Sequence, residues 1–274
     1  ICDGMGGLQY GELASATLVS CFDEWLDTDL PEILSRSDCE EELRSRWQAL
    51  IDRAGNLMRT FAEQTGATLG TTLSALLLWQ NRGFIANIGD TRVYEIGKTV
   101  QILTRDHTFV REEIDAGRMT PEQAACSGKE HILTRCVGVR EDANADFYRI
   151  TGKKKTLYLL CSDGFRHKIS PEEMHEQLFG KTTAAALEEA VRTLLALSRT
   201  RRKRRHFGGH GFGKPHLERI SFAAFRERSA GHRCKRHTDS RKNRFHRFRE
   251  YSPPRSGRQS AAGIYGSALR RHFA

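Results

Sequence analysis

The sequence contains no Cys-x-x-Cys pair. Its seven cysteines stand scattered at positions 2, 21, 39, 126, 136, 161 and 234, a spacing that gives a zinc site no support. Their number is odd and several lie in apolar runs such as LYLLCS, so buried free thiols in a reducing cytosol are expected. No apolar run approaches the ~18 residues of a membrane-spanning helix, and no secretory leader is legible. A cytoplasmic location without a membrane partner is the expectation. The glycine-rich stretch at 4–7 lacks the Lys-Ser/Thr pair of a nucleotide-binding loop, which argues against that use of it. The chain also opens on Ile1 rather than methionine, one residue before Cys2-Asp3-Gly4.

Acidic residues are scarce in one part only. Residues 1–198 hold 22 Lys+Arg against 30 Asp+Glu, a net charge of −8, whereas 199–274 hold 22 against 4, a net of +18. The overall charge of +10 therefore describes neither part. After Ser198 no period of 2 or 3.6 is sustained, and such a segment buries too little apolar surface to offset chain entropy. Two domains are therefore expected: a folded 1–198, and a basic, disordered 199–274.

Within 1–198 the pattern is regular. Residues 13–26 and 40–64 place apolar side chains at helical spacing, the second through Leu43, Trp47, Ile51, Ala54, Met58 and Phe61. A strand meander comes next at 71–79, 84–88, 92–96 and 100–103, with turns at 80–83 and 97–98 and a break at Gly89-Asp90. Residues 108–126 read as helix, split near Thr120-Pro121-Glu122. Strands are expected at 146–150 and 156–162, and helices at 170–178, with Ser170 as cap, and at 182–198.

Three aspartates share one setting. Asp3, Asp90 and Asp163 each stand where an apolar strand ends beside a glycine. One aspartate there is a turn former; three raise another use. Buried carboxylates at strand ends need a positive partner. Mg2+ or Mn2+, which prefer carboxylate, carbonyl and water oxygens, would serve. Glycine beside the carboxylate lets a backbone carbonyl join the ligand set. His107 reads as a hydrogen-bonded turn histidine, Glu12 as a favourable charge at a helix N-terminus, Arg92 as the ion-pair partner of Asp90, and Lys153–Lys155 as a solvated turn.

Six stretches, DGMGGLQYGELAS, GTTLSALLLW, ANIGDTRVYEI, LTRDHTFV, LTRCVGV and LYLLCSDGF, come in an order that resembles the PP2C-like, metal-dependent protein phosphatases, in their bacterial serine/threonine branch. The resemblance covers 1 to about 198. It implies an α+β fold: an antiparallel β-sandwich flanked by helices, α-β-β-α. It implies that Asp3 bridges two Mn2+ or Mg2+ ions, with Gly4 and Asp163 as further ligands, and that Asp90 helps hold a third, weaker ion. Asp3 and Asp163 would thus carry the catalysis. Residues 108–135 would form a flap beside the site. The implied reaction is hydrolysis of phosphoserine or phosphothreonine in protein substrates by metal-activated water, without a phosphoenzyme. A serine/threonine protein kinase would be the counterpart, and a monomer is expected.

The sequence departs from the family at both ends. The family's first strand pair, with its phosphate-gripping arginine and an acidic pair, has no counterpart before Asp3. The closing Gly-Gly-x-Asp-Asn motif is missing as well: Gly208-Gly209 are followed by His210, and no aspartate comes until Asp239. The expectation is an incomplete domain with an out-of-frame tail and weakened activity. The alternatives are an inactive remnant or binding module, and a nucleic-acid-binding arm at 199–274, where Phe and Tyr interleave with Arg.

Overall fold

Gly11–Thr28 forms helix α1, and a single turn, α2 at Leu30–Ile33, leads on to α3 at Cys39–Thr65. Glu40, Glu41 and Glu42 occupy the first turn of α3, where negative charge complements the helix dipole. Leu43, Trp47, Ile51, Ala54 and Met58 form its buried stripe, as the spacing predicts. The computed structural model describes residues 1–5, 10–34, 39–79, 81–141, 143–153, 156–205 and 220–224.

The remaining elements are β1 (Leu73–Trp79), β2 (Arg82–Ile88), β3 (Arg92–Ile96), β4 (Val100–Ile102), α4 (Phe109–Asp115), α5 (Pro121–Cys126), β5 (Asp146–Thr151), β6 (Leu157–Cys161), α6 (Asp163–Arg166), α7 (Pro171–Leu178), α8 (Ala184–Arg205) and β7 (Ile220–Ala224). Among the described residues the strands make two antiparallel sheets, ordered β1-β2-β5 and β4-β3-β6-β7. Helices α1 and α3 pack with β1 and β2 around Leu18, Trp25, Trp47 and Ile88. Helices α7 and α8 pack on the other sheet around Tyr94, Leu159, Met174 and Leu194. A smaller cluster, Ile85, Val93 and Leu160, joins one sheet to the other. The result is the α-β-β-α layering, and strands covered on both sides become nearly continuous apolar runs, as in LYLLC.

The meander does not keep one sheet. Strands β2 and β3 do not pair; the chain crosses between sheets at Gly89-Asp90-Thr91. Gly89 has φ +95°, and a Cβ there would lie 2.6 Å from Thr72 Cγ2, so no other residue fits. The crossing is pinned by the Ser74 hydroxyl, which donates to Asn87 Oδ1 at 2.6 Å and lies 2.8 Å from Thr91 Oγ1.

Residues 1–5 run antiparallel beside 70–74. Ile1 N–H donates to Ser74 O, Thr72 N–H to Asp3 O and Met5 N–H to Gly70 O. The domain boundary expected at Ser198 is not where the helix ends: α8 continues to Arg205. Arg201 holds it to α7, with Nη1 2.9 Å and Nη2 2.5 Å from the Glu173 carboxylate. Ile220–Ala224 adds a strand to β6, with Cys161 opposite Ile220 and Leu157 opposite Ala224. The expectation of disorder thus does not describe these two segments. The rest of 199–274, including Gly208, Gly209, His210 and Asp239, lies outside the described residues.

Candidate active site

Strand register decides which aspartates meet. Strands β3 and β6 are antiparallel with Arg92 opposite Cys161. Counting outward from that pair sets Asp90, just before β3, against Asp163, just after β6. On the other sheet Gly4 bridges Thr71, which sets Asp3 beside Thr72. The Asp3 N–H donates to Thr72 Oγ1 at 3.0 Å, and the Thr72 side chain covers Gly89. The three strand-end aspartates of the sequence therefore lie along one rim of the sandwich, two strand spacings, roughly 10 Å, separating Asp3 from the crossing.

Gly4 is held tightly. A Cβ on it would lie 1.9 Å from the Gly11 carbonyl oxygen, a contact only glycine avoids. Asp163 begins the one-turn helix α6, where the sequence suggests only a plain turn. Its Oδ1 accepts from Gly164 N–H at 2.6 Å, which fixes the carboxylate's rotation.

Asp90 has a different partner from the one its sequence suggests. Arg92 does not pair with it. The Arg92 guanidinium binds Asp106 in a two-point fork, Nε to Oδ1 at 2.8 Å and Nη2 to Oδ2 at 2.7 Å, and donates to Tyr94 Oη at 3.3 Å. The reason is directional: Asp106 supplies two oxygens to a planar fork, the arrangement arginine prefers. Arg166, from α6, takes Asp90 instead. Its Nη2 lies 3.1 Å from Asp90 Oδ2 and 3.5 Å from Asp106 Oδ2, and its Nε donates to Asp90 O at 3.3 Å. All three side chains are nearly buried, 8% exposed for Arg166 and 9% for each carboxylate.

Three carboxylates, Asp90, Asp106 and Asp163, thus face two guanidinium groups, and negative charge is in excess. Burial, opposed by Arg166 and reinforced by Asp163 and Asp106, pushes the Asp90 carboxyl up to about 6. Burial also pushes the neighbouring Cys161 thiol up to about 12, so this cysteine is an inert thiol in the core. Among the described residues no group of three or more His, Cys, Asp or Glu side chains is spaced to hold a metal ion. The register gathers Asp90, Asp106 and Asp163 but does not close them, with Asp3, into one ligand shell.

His107 is a buried structural group, as the sequence suggests. Gly89 N–H donates to its Nδ1 at 3.1 Å, so the proton is on Nε2, which lies 3.0 Å from Asp146 Oδ2. Burial lowers its pKa, against the pull of Asp146. Asp146 is also held by Arg135 at 2.8 Å. This chain of contacts braces the Gly89-Asp90 crossing from the flap side. The segment expected to form the flap holds α4 and α5, capped by Thr108 and by a Thr120–Gln123 capping box, and Thr108 bridges Leu133. Glu12 stands in the first turn of α1 as expected. Lys153 is exposed, as the reading of a solvated turn has it, and its Nζ also reaches buried Glu95 at 2.7 Å, where a carboxylate inside the sheet needs a cation. Lys154 and Lys155 lie outside the described residues.

Sequence reasoning missed Asp106 and Arg166. The signal for Arg166 was its place three residues beyond a strand-end aspartate, within one helical turn of it.

The family model described as "Protein phosphatase 2C" matches residues 1–198. The serine/threonine phosphatase stp of Listeria monocytogenes is 32% identical over 185 residues, covering 67% of this chain and 72% of its own length. The solved serine/threonine phosphatase of S. agalactiae superposes with a TM-score of 0.65 at 25% identity, over 73% of this chain and 80% of that one. The catalytic domain of the serine threonine protein phosphatase PstP, in complex with 2 manganese ions, superposes with a TM-score of 0.58 at 27% identity, over 72% and 80%.

Proposed function

The chain belongs to the protein phosphatase 2C family, and from that premise we propose that residues 1–198 form a metal-dependent domain acting on phosphoserine and phosphothreonine in proteins, with Asp3, Gly4 and Asp163 as its metal ligands. The excess of carboxylate along one rim carries the reading. Asp3 comes from the edge of the first sheet and Asp163 from the end of β6 in the second. Both are half-buried, which suits groups shared between protein and a hydrated ion.

The donor set is all oxygen, two carboxylates and the Gly4 carbonyl, and so fits a hard divalent cation such as Mn2+ or Mg2+. When bound, such ions supply a water of lowered pKa and screen the charge of a phosphate. Asp163 contributes a carboxylate whose orientation is set by Gly164 N–H. Gly4, packed on Gly11, holds its carbonyl in place. Asp90 does not fit this set, because Arg166 already occupies it. The flap at 108–135 bounds the site on the side of His107 and is the surface a phosphoprotein would meet. A protein kinase that forms the same phosphoesters is the natural counterpart. No helix among the described residues is long and apolar enough to cross a membrane.

A second reading is favoured by one observation: after Asp163 the next aspartate is Asp239, and no third carboxylate closes the ligand shell among the described residues. On that reading the domain binds phosphoproteins with little turnover. Manganese-dependent turnover of p-nitrophenyl phosphate separates the two. The enzyme reading expects turnover that needs Mn2+ and is lost in Asp163→Ala. Absence of Mn2+-dependent turnover, with phosphopeptide retained, leaves the binding module. Sequencing the source locus past the codon for Ser198 tests the out-of-frame origin of the tail, which one intact frame would refute.

A further inference from the structure

Asp90 is the carboxylate that the family resemblance gives to a third, weaker ion, yet a guanidinium holds it. We propose that Arg166 is the resident cation of Asp90, standing where a third divalent ion would, so that this chain binds two ions at its rim and not three. The proposal rests on the proposed function for the two ions and for the position of the rim, but not for the Asp90–Arg166 contact itself.

Three observations support it. Arg166 is fixed by three contacts: two on Asp90, at 3.1 Å to the carboxylate and 3.3 Å to the backbone oxygen, and one on Asp106 at 3.5 Å. It is not a surface side chain reaching inward, being 8% exposed, and arginine does not shed its proton in a protein. It is also poorly placed to move elsewhere. Asp106, its second carboxylate, already has both oxygens on Arg92. An ion arriving at Asp90 would have to expel a buried guanidinium and leave it short of a partner, at the cost of an unpaired buried charge. A weakly held ion is the one least able to do so. The same contact ties α6, and so Asp163 at its first position, to the sheet crossing without any metal. Arg166 is therefore a positioning residue for Asp163 as well as a substitute charge.

The test counts bound Mn2+ on the full chain by equilibrium dialysis, with free Mn2+ followed by its electron paramagnetic resonance signal. Asp90→Asn is expected to leave the Mn2+ count of the wild-type chain unchanged. Arg166→Gln is expected to gain one further Mn2+, at least about tenfold weaker than the rest, and Asp90→Asn in the Arg166→Gln background is expected to remove it. Loss of a bound Mn2+ from the wild-type chain on Asp90→Asn overturns the proposal, as does an Arg166→Gln chain with native circular dichroism that gains none. If Arg166→Gln does not fold, the Asp90→Asn arm in the wild-type background decides alone. Asp163→Asn reads the two-ion site separately: a wild-type chain whose Mn2+ binding ignores Asp163→Asn sinks that reading, while the Arg166→Gln arm still reports on this one.

Discussion

Replacing Asp90 by asparagine should change how stability depends on pH, with a sign that can be worked out in advance. The carboxyl is raised from 3.8 to about 6 by burial, against the attraction of Arg166. A carboxyl raised in the folded state favours folding while protonated and loses that advantage as pH climbs through the folded value. The full difference comes to ~3 kcal/mol, at about 1.36 kcal/mol per pH unit. With those two values, ~2 kcal/mol of it falls between about pH 4.5 and about pH 7.5. Asparagine removes the ionisation but keeps the shape. It also removes one partner of Arg166, an offset that shifts the whole curve without giving it a slope. The assay is urea unfolding in chelator at both pH values, for both proteins. The stability of wild type minus that of Asp90→Asn should drop by ~2 kcal/mol on going to the higher pH. A difference that stays level, or that rises with pH, would refute the account of Asp90 as a carboxylate ionised against its burial.

Gly4→Ala places a Cβ 1.9 Å from the Gly11 carbonyl oxygen; backbone on both sides cannot yield cheaply, so a loss of about 1–3 kcal/mol in urea unfolding is expected, with weakened Mn2+ binding through the displaced Asp3, and a wild-type melt would show that 1–5 does not sit against Gly11. Asp106→Ala leaves Arg92 without its fork and Arg166 with one contact fewer, so thermal unfolding should report a loss of about 3–5 kcal/mol; a loss under about 1 kcal/mol, the size of an exposed pair, would place this network in solvent.

Features set by neighbouring residues were legible in the sequence. Thr120 and Ser170 both form the capping boxes that their Pro and Gln or Glu neighbours announce, because a cap is settled within four residues. The stripe of α3 was legible for the same reason. The sheet exchange after β2 was not, since nothing in Gly89-Asp90-Thr91 says which sheet comes next; that depends on β6, which the chain has not yet made. The end of α8 was hidden because a basic run reads as solvated chain. Arg201 lies in an arginine-rich run, but Glu173 on the facing helix gives it a partner, and basic residues in the last turns of a helix are favourable. The Lys153–Glu95 contact was hidden likewise, Lys153 lying just past β5 and Glu95 on β3.

The expected Arg92–Asp90 pair fails for a reason that reaches the site itself. Nearness in sequence suggests the pair, but the two residues stand at different stations. Asp90 is in the crossing, whereas Arg92 is the first residue of β3 and is opposite Cys161. The ladder that fixes Arg92 also carries Asp90 past its end, to where β6 has given way to α6. The segment after β6 must then satisfy Asp90, and it brings Asp163, a second negative charge, and Arg166, a positive one. The register that creates the repulsion thus supplies its relief one helical turn later, which is why Asp90 reaches only about 6 despite its burial. It also separates the aspartates by burial. Asp163, at the start of the turn, stays half-buried, while Asp90 is nearly buried and held by an arginine of the same helix.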